Sequence, residues 1–271
     1  MEFENSELKH LLKVVHKNYG YDFTQYADAS LRRRIVSFMN ARKLADLGML
    51  EQALAEDESN VEALVQEISV TVTEMFRDPT FYKSLRQNVL QRLNTYPFIK
   101  IWIAGCATGE EVYSIAILLK EEGLLNRCVI YATDINQRSL QKAKEGVYSL
   151  ENMKAYTANY QKAGGKASFS EYYKAKYNSV MFDKELRDNV VFSAHSLSVD
   201  SAFNEFQLVI CRNVLIYFNQ QLQNKVINLF YQSLCPFGYL GLGTKESLLF
   251  SDKKLFFDDV DRKEKIFKKN Q

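Results

Sequence analysis

The chain lacks any run of the ~18 consecutive apolar residues that a membrane-spanning helix requires, so no membrane insertion is expected. Its first residues, Met-Glu-Phe-Glu-Asn, lack the basic-then-apolar order of a secretion signal, which leads to the expectation of a cytoplasmic protein. Cysteine is scarce. Cys106, Cys128, Cys211 and Cys235 lie far apart with no Cys-x-x-Cys pair, which excludes a zinc ribbon or thioredoxin-type site and points to buried, reduced thiols. Histidine is scarcer still: His10, His16 and His195 show no metal-pair spacing, so no metal is expected and the chemistry is not expected to run on histidine. Excess charge is also missing. With 35 Lys+Arg against 33 Asp+Glu the net charge is +2, giving no global case for nucleic acid, although a local basic face remains open. What is present, 46% hydrophobic and 25% charged residues over 271 positions, is the composition of a globular protein with room for one large domain or a full domain plus a small one.

The first third predicts helices. Ser6 is placed to cap a segment whose Leu8, Leu11, Leu12, Val15 and Tyr19 recur at three- and four-residue steps, ended by Gly20. A second helix starts near Ser30 with Leu31, Ile35, Phe38 and Met39 on one stripe, and others cover about 48–56 and 61–68. Ile68 to Thr73 is β-branched and extended, and Arg77-Asp-Pro79 turns into a helix reaching about Leu93. From there short apolar runs alternate with amphipathic helices: strands at Ile99–Ala104, Val129–Thr133, Asn189–Phe192, Phe206–Cys211 and Tyr239–Gly243, with helices at Glu110–Lys120, Ser139–Glu145 and Gln220–Leu234. This order predicts a mostly parallel sheet with helices on both faces, completed by an antiparallel hairpin from Phe256-Phe257 and Lys265–Lys268. Between Tyr148 and Asn189 the connection is too long for an ordinary ~2–6-residue loop. It contains Gly164-Gly165 and the Tyr-rich Phe169–Tyr177, and is either a decorated crossover or a small hairpin insert for a partner.

Three strand ends carry the chemistry. Ile101-Trp-Ile-Ala-Gly-Cys-Ala-Thr-Gly-Glu-Glu111 runs a strand into a glycine turn and a helix, a place where the backbone can approach a ligand. It is not G-x-G-x-x-G, and Glu110 and Glu111 stand where a pyrophosphate would sit, which suits a cationic ligand instead. Asp134 follows at the end of the next strand, where nucleotide folds bind ribose hydroxyls; a helix cap is the alternative role. Cys211-Arg-Asn-Val-Leu-Ile-Tyr-Phe218 places Arg212, Asn213 and Tyr217 at the same sheet edge. A nucleoside ligand with positive charge and no phosphate is S-adenosylmethionine.

These motifs, with Ser30-Leu-Arg-Arg-Arg-Ile35 and Thr71-Val-Thr-Glu-Met-Phe-Arg-Asp-Pro79, make the chain resemble the CheR family of chemotaxis-receptor methyltransferases from its first helices to its last hairpin. The resemblance implies a helical N-terminal domain (1–70), then a linker and a Rossmann-like class I S-adenosylmethionine methyltransferase domain (71–271) with a small β-subdomain insert at about 160–188. It implies cofactor contacts from Thr71, Thr73, Arg77, Ala104, Glu110, Asp134, Ser196, Leu197, Arg212 and Asn213, with Arg77 and Tyr217 at the reaction centre. Thr71 and Ser196 stand where the family commonly has Asn, Met75 replaces a usual Phe, and the Tyr-rich insert looks shorter than in members that dock on a receptor tail.

The implied reaction methylates a receptor glutamate and releases S-adenosylhomocysteine. The implied partner is a chemotaxis receptor or similar signalling protein with acidic helices, met by a monomer. Arg32, Arg33 and Arg34 offer such helices a basic face, against the plainer reading of a solvated helix surface. Arg77 is read either as the holder of a carboxylate or as half of an ion pair with Asp78 or Glu74. The competing functions are a methyltransferase for a small molecule or nucleic acid, and a non-catalytic S-adenosylmethionine-binding signalling module.

Overall fold

The computed structural model describes residues 3–270; Met1, Glu2 and Gln271, which the expected domain ranges include, lie outside the described residues. Helices α1 (Asn5–Tyr19), α2 (Asp28–Arg42), α3 (Leu47–Glu56) and α4 (Glu58–Ile68) come first. Their three- and four-residue apolar spacing brings Leu11, Ile35, Phe38, Leu50 and Leu64 into one buried cluster. Local chemistry sets the ends. Asp46 and Asp57 accept from the amides of Met49 and Ser59, each at 2.8 Å, and so cap α3 and α4. At α1 the cap is Glu4 rather than the expected Ser6: the Glu4 amide donates to Glu7 at 2.7 Å, and Ser6 lies within the first turn.

After α4, residues 70–74 have no regular structure and join no sheet despite their β-branched side chains. The expected helix up to Leu93 is present as α5 (Pro79–Leu85), a π turn over Arg86–Leu90 and a short α6 (Gln91–Leu93). The main sheet is built from β1 (Ile99–Ala104), β2 (Cys128–Asp134), β6 (Val190–Ala194), β7 (Phe206–Cys211), β8 (Leu234–Leu242), β9 (Phe257–Asp261) and β10 (Ile266–Lys269). Its order is β6-β2-β1-β7-β8-β10-β9, with the first five strands parallel and β10 antiparallel to both β8 and β9. This is a doubly wound α/β sheet with an antiparallel strand wedged near one edge.

Strand pleat explains the two-sided core. Ile99, Ile101 and Ile103 of β1 point into a cluster with α5 and α7 (Glu110–Glu121), whereas Trp102 and Ala104 point into another with α10 (Gln220–Ser233). All four cysteines are buried and unpaired.

The long insert does contain the expected hairpin, β4 (Tyr173–Lys176) and β5 (Ser179–Phe182). It is larger than its loop-like composition suggests. A third strand, β3 (Val147–Ser149), pairs with β5, and α9 (Met153–Lys162) precedes the hairpin, its Met153, Tyr156 and Tyr160 buried at helical spacing. The Glu121 carboxylate pins this insert to α7 by accepting from the Tyr160 and Tyr172 hydroxyls and the Lys166 amide.

The glycine turn between β1 and α7 is closely packed by protein on the side away from solvent. A Cβ on Gly105 (φ +74°) would come 2.5 Å from Val214, and one on Gly109 (φ +94°) 2.7 Å from Ala143 of α8 (Gln137–Glu145). The two glycines therefore serve interlocking of the turn with its neighbours. Gly109→Ala should destabilise the fold by about 2 kcal/mol or more, read as a lower urea midpoint at unchanged m.

Candidate cofactor and active site

A cleft of about 940 Å³, counting its open mouth, lies over the C-terminal ends of β1, β2 and β7, where the strand order reverses. The sheet places its floor: the glycine turn follows β1, Asp134 ends β2, and Arg212 and Asn213 follow β7. The linker supplies Thr73 and Arg77, and the segment after β6 supplies Ser196 and Leu197. Eight sequence-selected residues thus line the cleft: Thr73, Arg77, Asp134, Ser196, Leu197, Arg212, Asn213 and Tyr217.

Three do not line it. Ala104 is buried at the end of β1. Thr71 faces a separate groove bordered by Arg34, Arg42 and Arg138. Glu110 turns inward, accepts from the Thr108 hydroxyl at 2.6 Å, and has its pKa raised by burial. Its neighbour Glu111, rotated about 100° around the helix, faces the cleft instead. Tyr26 and His195 also line the cleft and were not singled out from the sequence, since neither belongs to a motif there.

Asp134 is held rather than free. Its oxygens accept from the amides of Ala107 at 2.8 Å and Asn136 at 2.9 Å. Burial raises its pKa, partly offset by these amides. It does not cap α8; Asn136 does, accepting from Ser139 at 3.1 Å.

Arg212 is heavily engaged through its two terminal nitrogens, while its buried Nε has no partner among the described residues. Its side chain is 2% exposed and donates to Glu111 at 2.8 Å, Asp78 at 2.7 Å and the Arg77 carbonyl at 3.0 Å, with the guanidinium over the Phe81 ring. The surrounding carboxylates outweigh burial and keep it charged. These bonds hold the tight turn in which Phe76 and Asp78 adopt positive φ. Because Asp78 is engaged by Arg212, the expected alternative of an Arg77–Asp78 pair is not realised, nor is an Arg77–Glu74 pair among the described residues. Among the described residues the Arg77 guanidinium reaches only the Val72 carbonyl, at 3.4 Å, and it stays available to a ligand.

The segment carrying Asn213 and Tyr217 hangs from Glu246, a buried carboxylate that no sequence motif announced. It accepts from the amides of Gly243 (2.6 Å), Leu215 (2.7 Å), Val214 (2.8 Å) and Asn213 (3.1 Å). Farther out, the basic triplet of α2 divides. Arg32 bonds Asp28 and the Phe3 carbonyl, Arg34 donates to the Glu67 carbonyl at 2.9 Å, and Arg33 alone of the three is fully exposed.

Comparison with known families matches residues 71–265 to the CheR methyltransferase SAM-binding domain and residues 6–69 to the CheR methyltransferase all-alpha domain. Cher3 of Pseudomonas putida is 47% identical over 264 residues, 97% of each chain. The chemotaxis protein methyltransferases of Listeria innocua and Vibrio parahaemolyticus are 29% and 32% identical, over 88% and 80% of each chain respectively.

Replacing Glu246 with alanine strands four amides at once. We expect a loss of about 3 kcal/mol or more in unfolding free energy, with accelerated hydrogen exchange at residues 213–217.

Proposed function

The chain belongs to the CheR methyltransferase family, and from that premise we propose that it methylates glutamate side chains of a chemotaxis receptor, forming a methyl ester and releasing S-adenosylhomocysteine. It is an S-adenosylmethionine-dependent methyltransferase acting on chemoreceptors. The observation that carries the finer reading is a cleft with an acid at its nucleoside end and an unengaged guanidinium at its linker side.

The residues present suit this cofactor. Asp134 would hold the ribose, Ser196 and Leu197 the adenine edge, and Thr73 and Asn213 the remaining polar groups. Glu74 and Glu111 line the cleft with Asp134, so three carboxylates face a ligand there and a sulfonium is favoured over a phosphate. When bound, the cofactor supplies a methyl group on a positively charged sulfur that becomes a neutral thioether after transfer.

The acceptor carboxylate, with a pKa of ~4.3, is already ionised near neutral pH, so the protein need supply no general base. Its task is positioning, which can contribute roughly 7–11 kcal/mol. Arg77 would hold the acceptor through its forked donors, and Tyr217 would donate a hydrogen bond or exclude water. Arg33 steers acidic receptor helices from its exposed position on α2. Arg32 and Arg34 contribute field while serving mainly to bind the helices together.

Labelled methyl transfer to a receptor, followed by mild alkali, should release methanol; an alkali-stable methyl group would refute the ester. Arg77→Ala should retain cofactor binding and lose about a hundredfold or more in transfer rate, and near-normal turnover would refute its role. A pH dependence is also expected. Because burial raises the Asp134 pKa, the carboxylate takes up its proton, and loses an acceptor, above the ordinary aspartate range. Cofactor affinity, followed by calorimetry, should therefore fall with acidification sooner than an exposed aspartate would allow.

A further inference from the structure

Tyr26 brings the helical segment into the wall of the cleft. It lies in the loop between α1 and α2, and three hydrogen bonds stitch that loop to the sheet domain. The Ala27 amide donates to the Tyr217 carbonyl at 2.8 Å, the Asn219 amide to the Gln25 carbonyl at 2.9 Å, and the Ser198 hydroxyl to the Asp22 carbonyl at 3.1 Å. The first two frame an antiparallel bridge between Tyr26 and Phe218. Both anchoring segments are themselves part of the cleft, through Tyr217 and Phe218 on one side and Ser196 and Leu197 on the other.

The ring is fixed in place. Phe23 meets it edge-on at 5.1 Å between centroids, and Phe218 at 5.0 Å. A tyrosine held this way normally finds a partner for its hydroxyl. Here the hydroxyl bonds no described residue and is not sealed from solvent, and the residue that carries it lines the cleft. Burial and, after it, the nearby Asp134 carboxylate raise its pKa, which keeps it a neutral donor.

We propose that Tyr26 is a cofactor-binding residue: its hydroxyl hydrogen-bonds the nucleoside of bound S-adenosylmethionine beside Asp134, tying cofactor occupancy to the start of α2. This rests on the cleft being the cofactor site. Since α2 begins at Asp28 and carries Arg33, the bond links the cofactor to the helix that faces the receptor. Linkage is reciprocal, so the factor by which bound cofactor changes the affinity of α2 for an acidic partner is the factor by which that partner changes cofactor affinity.

The test compares wild type with Tyr26→Phe, which removes one oxygen and keeps the ring. In calorimetry with S-adenosylhomocysteine the variant should bind about three- to tenfold more weakly, the range of one hydrogen bond, with its thermal midpoint unchanged within about 2 °C. Hydrogen exchange gives a second readout. The ligand should slow exchange at residues 22–28 in wild type and less so in the variant, while the ends of β1 and β2 are protected equally in both. Unchanged affinity in Tyr26→Phe, or equal loop protection, overturns the proposal and leaves the cofactor reading standing. A wild type that takes up neither S-adenosylmethionine nor S-adenosylhomocysteine overturns both.

Discussion

One buried guanidinium joins the two halves of the active site. Arg212 comes from the end of a central strand, Asp78 and the Arg77 carbonyl from the linker, and Glu111 from the helix after the glycine turn. A charge with 2% of its side chain exposed is tolerated only because two carboxylates and a carbonyl surround it. The contacts flank a backbone that carries two positive-φ residues, Phe76 and Asp78, and they leave the Arg77 guanidinium where a ligand can use it. Arg212 therefore sets the positions of its neighbours while itself lining the cleft, where the cofactor contact implied for it would fall.

A similar division runs through the other carboxylates. Glu246 gathers the amides of residues 213–215, Glu121 gathers the hydroxyls of the insert, and Asp134 gathers the glycine-turn amide of Ala107. Each places a carboxylate among donors from a segment that the main sheet's own ladders do not hold. Irregular loops over a sheet edge are held this way because helix and strand ladders cannot reach them.

Much of this fold could be read from periodicity. The four leading helices, the strands of the parallel sheet and the closing hairpin follow from three-, four- and two-residue spacings of apolar side chains, and the cleft follows from motifs at strand ends. What escaped reading depends on contacts between distant segments. Helix α9 hides in a Tyr-rich stretch that looks like loop until Met153, Tyr156 and Tyr160 are seen on one face. Glu110 and Glu111 are adjacent and chemically identical, and only the phase of the helix decides which one meets the cleft. Tyr26 belongs to a loop some 190 positions before its partner Phe218, so no local pattern could have paired them.

The order of strands bears on how such a chain can be made. β10 is last in sequence yet sits between β8 and β9, and its Phe267 and Ile266 are buried there. During synthesis β9 emerges from the ribosome before the strand that will connect it to the sheet, and must wait as an unattached ribbon. The sheet is completed by placing residues made after β9 between β9 and β8, so a nascent chain held short of Lys269 would leave β8 with a raw edge and a chaperone a reason to bind it.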